Sequence, residues 1–206
     1  MRFFSFRKNW LDHRSVIALE KTDFRQQQIT RLTQLSEAER SQQNLSLQQQ
    51  LFASPAWQQA AVIATTISSG IEVATQPIIQ QAWAEHKQVV IPQTLPKRQM
   101  AFKSYTAETE LTRTSFGIFE PTTGETVAKT EIDLILVPGL GYSQAELARI
   151  GFGGGYYDRY LADYTGVKLT LAFREMAFAH AEWPVDAYDV VLDQLLVAKD
   201  GVDDEH

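Results

Sequence analysis

The chain has 206 residues, an apolar share of 44% and no cysteine. Those figures fit one globular domain with a sizeable core; they exclude wholesale disorder, disulfides, thiolate metal sites and a cysteine nucleophile. A formal charge of −6 argues against a general nucleic-acid binder, and no apolar run reaches the ~18 residues that span a bilayer. Residues 1–17 carry Arg2, Arg7, Lys8 and Arg14 among Phe3, Phe4, Phe6 and Trp10, without the apolar core or cleavage site of a secretory signal. They read as a basic aromatic extension resting loosely on the domain, with no stable membrane association and a cytoplasmic setting. Residues 200–206 read as an acidic tail, which leaves 18–199 as the domain proper.

In chain order, residues 18–52 read as helix. Ser36 with Glu39 three positions later is a capping-box signal, which splits the stretch near Leu35. The second helix takes Leu45, Leu47, Leu51 and Phe52 as its apolar positions. Ser54-Pro55 opens a short helical turn. Ala60 to Ile67 is apolar and β-branched without alternation, the pattern of a strand buried on both faces. Thr75 and Pro77 start another helix, with Ile78, Ile79, Ala82 and Trp83 as its stripe. Strands are predicted at Gln88–Pro92, 100–105, 132–138, 169–173 and 190–198, and a helix from Tyr156 to Tyr164. Strands alternating with helices predict the α/β class: a three-layer α/β/α single domain with a largely parallel central sheet. Ligands of such sheets bind outside the carboxyl ends of the strands. Ser68–Glu72, Gly139–Gly155 and Arg174 are therefore expected to converge.

The segment from Arg149 to Leu161 is the most informative. Four of its five positions from 151 to 155 are glycine (Gly151, Gly153, Gly154, Gly155), downstream of an apolar strand and at the opening of a helix. Without a Cβ the backbone approaches an anion closely, and the first helical N–H groups are unpaired donors. A loop of bulge and cap glycines is the plainer alternative. No Gly-x-x-x-x-Gly-Lys-Ser/Thr occurs, and Tyr156 breaks a Gly-x-Gly-x-x-Gly reading, so dinucleotide binding is disfavoured. Arg149 offers a phosphate partner. Asp158 offers either a Mg²⁺ ligand or a complement to the helix dipole. Lys21 and Arg25, four apart, share one helix face; by spacing alone they read as ordinary surface charge.

These residues carry a resemblance. Lys21-x-x-x-Arg25, then Glu72 and Thr75, then Ile91-Pro92 and Phe116-Gly-Ile-Phe-Glu-Pro121 follow one another along the chain. Val137-Pro-Gly-Leu-Gly141, the segment 149–161, and Pro184 with Asp189 come after them. Over residues 20–198 the chain resembles the 5-formyltetrahydrofolate cyclo-ligase family, also called methenyltetrahydrofolate synthetase. The resemblance implies an enzyme that closes 5-formyltetrahydrofolate to 5,10-methenyltetrahydrofolate with ATP and Mg²⁺. In that chemistry the γ-phosphoryl goes to the formyl oxygen, and ADP and phosphate are released. The resemblance further implies ATP contacts from Lys21, Arg25, Arg149, Ile150, Gly151, Phe152, Gly153, Gly154, Gly155, Tyr156 and Tyr157. Arg149 and Tyr156 carry the catalytic roles. Ile67, Glu72, Phe116, Gly153 and Tyr156 meet the folate, and Asp158 and Asp189 hold Mg²⁺, with Asp193 a weaker candidate.

The implied partners are ATP and 5-formyltetrahydrofolate, with or without a polyglutamate tail; no nucleic acid is implied, and the chain is expected to act as a monomer. Two departures stand out. Some relatives carry a lysine at the position of Gly154, and Gly141 to Ala148 replaces the usual approach to Arg149. The alternatives weighed against this reading are a non-catalytic folate- or nucleotide-binding protein on the same scaffold and a sugar-phosphate isomerase or acyl-transfer enzyme. The last would want a general base near the glycine segment, and none is evident.

Overall fold

A computed structural model describes residues 20–114 and 117–200. Helices α1 (Lys21–Thr33), α2 (Glu37–Phe52) and α3 (Pro55–Gln59) lead into strand β1 (Val62–Ala64). Helix α4 (Gln76–Ala84) connects β1 to β2 (Gln88–Leu95), and β3 (Gln99–Ser104), β4 (Leu111–Arg113), β5 (Phe119–Pro121) and β6 (Thr126–Val127) follow. Next come β7 (Leu134–Leu136), β8 (Gly141–Ser143), β9 (Arg149–Ile150), α5 (Tyr156–Leu161), β10 (Val167–Ala172), β11 (Ala177–Phe178) and β12 (Gln194–Val197).

The main sheet has seven strands in the order β12-β10-β7-β1-β2-β3-β6. The five from β12 to β2 run parallel, and β3 and β6 each pair antiparallel with their neighbour. The step from β1 through α4 to β2 crosses the sheet one way; that from β7 through α5 to β10 crosses it the other way. Right-handed crossovers then set α4 and α5 on opposite faces. The result is the expected three-layer α/β/α arrangement. Leu134, Ile135 and Leu136 of β7 are buried, as a central parallel strand covered on both faces requires.

Local signals account for the helices. Ser36 Oγ accepts from the Glu39 N–H, and Glu39 Oε2 accepts from the Ser36 N–H at 2.8 Å, so the capping box forms and α1 and α2 part where expected. The buried face of α1 is Phe24, Gln28 and Leu32, spaced by four. Leu45 departs from the expected pattern. It is 60% exposed, while Gln43 is fully buried with Leu47 and Leu51. Positions 43, 47 and 51 share one face at helical spacing, and residue 45 falls on the other side. Gln43 is accommodated because its amide donates to Glu175 Oε2 at 2.9 Å and its carbonyl accepts from the Arg174 N–H at 2.8 Å.

Four predicted elements are shorter than their apolar runs, among them the strand over 132–138, which pairs only at Leu134–Leu136. The strand drawn over Ala60–Ile67 pairs only at Val62–Ala64, the helix from Tyr156 stops at Leu161, and the strand over 190–198 is confined to Gln194–Val197. In the strands over Ala60–Ile67 and 190–198 the unpaired residues lead into or out of loops at the candidate site. The small sheet β11-β8-β9 was not predicted. Its β8–β9 hairpin sets Gly141 opposite Ile150 and Tyr142 opposite Arg149, and this is the conformation ahead of Arg149. Leu147 takes a left-handed φ of 52° in the turn between the two strands.

Candidate active site

Beyond Ala64 the chain leaves β1 and builds a short, tightly held loop. The Ser68 N–H donates to Thr75 Oγ1 at 2.9 Å, and the Thr75 N–H returns a bond to Ser68 Oγ at 3.0 Å. Inside this brace the Ser69 N–H donates to Glu72 Oε2 at 2.9 Å. Burial pushes the Glu72 carboxyl above the usual carboxylate range, and the Ser69 bond offsets part of that shift.

Glu72 lines a cleft with Thr65, Thr66, Val73, Pro138 and Gly139 at its sides and Leu136, Val137, Leu171 and Met176 among its apolar lining. The cleft lies where β1, β7 and β10 end, the position expected for a ligand of a parallel sheet. Ile67 is half-buried in the same loop but does not line the cleft; Thr65 and Thr66 do. Phe116 lies outside the described residues.

The glycine segment sits beside this cleft, held from two directions. Arg149 is 7% exposed; it donates through Nη1 to the Pro138 carbonyl at 3.1 Å and through Nη2 to Asp158 Oδ1 at 2.8 Å. Its buried Nε has no partner among the described residues. A Cβ on Gly151 would collide with this guanidinium, so any larger residue there would push Arg149 from its present position. From the other side Arg25 Nε donates to the Gly151 carbonyl at 2.8 Å, with its guanidinium carbon 3.5 Å from where a Cβ of Gly153 would stand.

Gly155 takes a left-handed φ of 68° and caps the six-residue helix α5. A Cβ on Gly154 would lie 2.8 Å from the Tyr156 ring, so a lysine there would displace that ring. None of the N–H groups of residues 152–155 donates to a described protein acceptor. Ile150 is buried, whereas Phe152 is 51% exposed. The Tyr157 hydroxyl is buried without a partner among the described residues, and the Arg149 guanidinium stands 5.8 Å from its ring.

The two candidate metal ligands meet through neighbouring segments: the Val190 N–H reaches Asp158 Oδ1 at 3.4 Å, and Asp189 precedes Val190. Both carboxylates are ion-paired to residues expected at the phosphates. Asp158 holds Arg149, and Lys21 Nζ stands 2.6 Å from both Asp189 Oδ2 and Asp186 Oδ2. Desolvation pulls the Lys21 ammonium pKa down, but the hydrogen bonds and charges of Asp186 and Asp189 outweigh it and leave it raised. Asp186 is driven below the ordinary carboxylate range, chiefly by its bond to Lys21.

Sequence reasoning missed Asp186, which lies three residues before Asp189 and whose own N–H donates to Asp189 Oδ2 at 2.9 Å. Tyr188 belongs to the same knot; its hydroxyl donates to Asp186 at 2.9 Å beneath Lys21. Arg174 does not join the group, since its guanidinium is engaged by the Lys199 carbonyl and Asp200. Asp193 is occupied with Lys168, at its N–H and at its ammonium.

The profile of the 5-formyltetrahydrofolate cyclo-ligase family matches residues 17–198. A 5-formyltetrahydrofolate cyclo-ligase of Mus musculus is 33% identical over 180 residues, 81% of this chain and 87% of its own. A probable enzyme of that name from Schizosaccharomyces pombe is 30% identical over 171 residues, 75% of this chain and 83% of its own. The solved structure of Aquifex aeolicus 5,10-methenyltetrahydrofolate synthetase superposes with a TM-score of 0.76 at 28% identity, covering 87% of this chain and 90% of that one.

Proposed function

The chain belongs to the 5-formyltetrahydrofolate cyclo-ligase family, and we propose that it closes 5-formyltetrahydrofolate to 5,10-methenyltetrahydrofolate with ATP and Mg²⁺. One observation carries the reading. Lys21, Arg25, Arg149, the glycine segment, Asp158 and Asp189 form one connected network beside a cleft that holds a half-buried carboxylate.

The chemical problem is a poor leaving group. Transfer of the γ-phosphoryl to the formyl oxygen breaks the bond between that phosphorus and the β–γ bridging oxygen, and releases ADP. The folate's second nitrogen then attacks the activated carbon, and phosphate leaves with the formyl oxygen. Such chemistry asks the protein chiefly for positioning and charge neutralisation. Arg25 and Arg149 flank the glycine segment and stand where a lysine at residue 154 is not needed for positive charge. The unpaired N–H groups of residues 152–155 are donors for phosphate oxygens, with Ile150 and Tyr157 supporting the loop. Tyr156 and Gly153 stand between nucleotide and folate in this scheme. Glu72 accepts from the paired donors of a pterin ring. Phe116 is retained as a proposed ring contact.

Asp158 and Asp189 fit Mg²⁺ by donor chemistry. Mg²⁺ takes one or two carboxylates together with phosphate oxygens and water, and among the described residues no three acidic or histidine side chains form a self-sufficient metal cluster. When bound, the ion neutralises charge on the transferring phosphoryl group. Lys21, freed from Asp186 and Asp189, would turn to the phosphates.

The test mixes protein, 5-formyltetrahydrofolate, Mg²⁺ and ATP, and follows the methenyl chromophore together with ADP. Stoichiometric formation of both is expected. Product without ATP, or folate and nucleotide binding with no product, would reject the reading; the second result would favour a binding protein on the same scaffold.

A further inference from the structure

Thr65 is the first residue after β1, and its N–H still donates to the Val90 carbonyl at 3.0 Å, so its backbone is held as firmly as the strand's. The residue is 1% exposed, lines the cleft with Glu72, and keeps its hydroxyl buried with no hydrogen-bond partner among the described residues. Other buried threonines here are satisfied. Thr170 donates to the Val137 carbonyl at 2.8 Å, and Thr75 Oγ1 accepts from Ser68.

A valine would fill the space of Thr65 and spare the cost of a buried, unpaired hydroxyl. Folding therefore gains nothing from that oxygen. The residue borders a cleft whose other lining is largely apolar, including Val73, Leu136, Val137, Pro138, Leu171 and Met176, with Glu72 as the carboxylate. A ring that offers its faces to apolar side chains and its polar edge to a few hydrogen-bonding groups suits such a lining. The ionised carboxylate only accepts hydrogen bonds, whereas a hydroxyl also donates. The pair can thus serve a ligand edge that carries an acceptor beside its donors, as an amide-like ring edge does.

We propose that Thr65 is a substrate-binding, specificity-determining residue, whose hydroxyl hydrogen-bonds the polar edge of the pterin ring alongside Glu72. This rests on the proposed folate reaction. Removing one hydrogen bond from a buried, water-excluded edge weakens binding about tenfold, and the loss falls on the folate and not on the nucleotide.

The experiment compares the wild-type chain with Thr65→Val, Thr65→Ser and Thr65→Ala. It measures thermal midpoint, equilibrium binding of 5-formyltetrahydrofolate without ATP, and KM for ATP. Thr65→Val is expected to melt no lower than wild type, to bind the folate about tenfold more weakly and to keep its KM for ATP. Thr65→Ser, which retains the oxygen, is expected to bind the folate more tightly than either Val or Ala. Wild-type affinity in Thr65→Val overturns the proposal. So does equal loss in Ser and Ala, because shape and not the hydroxyl would then matter, and the Ser–Ala comparison decides the matter even if Thr65→Val fails to fold. A wild-type chain that binds no folate removes the reaction and the Thr65 contact together. A wild-type chain that binds and turns over folate, with Thr65→Val unaffected, removes the contact alone.

Discussion

Glu72 is held as a half-buried, partly desolvated carboxylate with one backbone donor, an arrangement that favours a ligand over stability. Because its pKa is raised, the unfolded chain releases the proton first as pH rises. Stability is then lost between the ordinary carboxylate value and the raised one, and the deficit stays constant above that window. Glu72→Gln should melt like wild type at low pH and up to ~2–4 °C higher at neutral pH, for a gain of about 1 kcal/mol, while losing folate affinity. Calorimetry across pH together with folate binding checks both halves; an unchanged folate affinity would reject the pterin contact. Asp158 couples two roles, since its carboxylate also satisfies the buried Arg149 guanidinium. Asp158→Asn should cost about 1–3 kcal/mol of stability. It should also raise the Mg²⁺ concentration needed for half-maximal rate more than it raises KM for the folate. Equal changes in the two would count against a metal role.

At the scale of elements, α1 does two jobs with one four-residue spacing. Phe24, Gln28 and Leu32 point inward, and Phe24 packs on Phe178 and Trp183 with ring centroids 5.3 and 4.8 Å away. Lys21 and Arg25, one position away from that register, reach the 186–189 loop and the glycine segment. The packed face thereby fixes where the charged face stands. The capping box of α2 is structural and remote from this chemistry. Ser36→Ala should cost about 1 kcal/mol, seen as a fall of ~2–4 °C in Tm, with kcat/KM for both substrates unchanged. The spacing of Lys21 and Arg25 and the glycine content of 151–155 were legible because each is a local pattern. The β8–β9 hairpin was not, since its strands are two and three residues long and its turn uses a leucine at positive φ. Asp186 went unseen because a lone aspartate three residues from another carries no periodic signal.

For the molecule as a whole, the sheet order brings residues 21, 25, 72, 149, 158 and 189 to the carboxyl ends of β1, β7 and β10. The cations and carboxylates there pair with one another. Mg²⁺ with ATP should replace those pairs and stabilise the fold by mass action. At a hundredfold excess over Kd the gain is about 2.7 kcal/mol, a rise of roughly 5–10 °C in Tm. Adding a chelator should remove most of that rise, and a nucleotide effect indifferent to chelation would reject Asp158 and Asp189 as the metal pair.

The sequence by itself determined the class of the fold and the family, because helical period, buried-strand composition and glycine density are short-range properties. Tertiary structure alone decided the partners. Lys21 finds Asp186 and Asp189 across 165 and 168 residues of chain, and Arg25 finds Gly151 across 126. The Thr65 hydroxyl, where β1 ends beside the cleft, has no partner among the described residues. Such pairings depend on strand order and on which apolar faces pack, and no spacing along the chain encodes them.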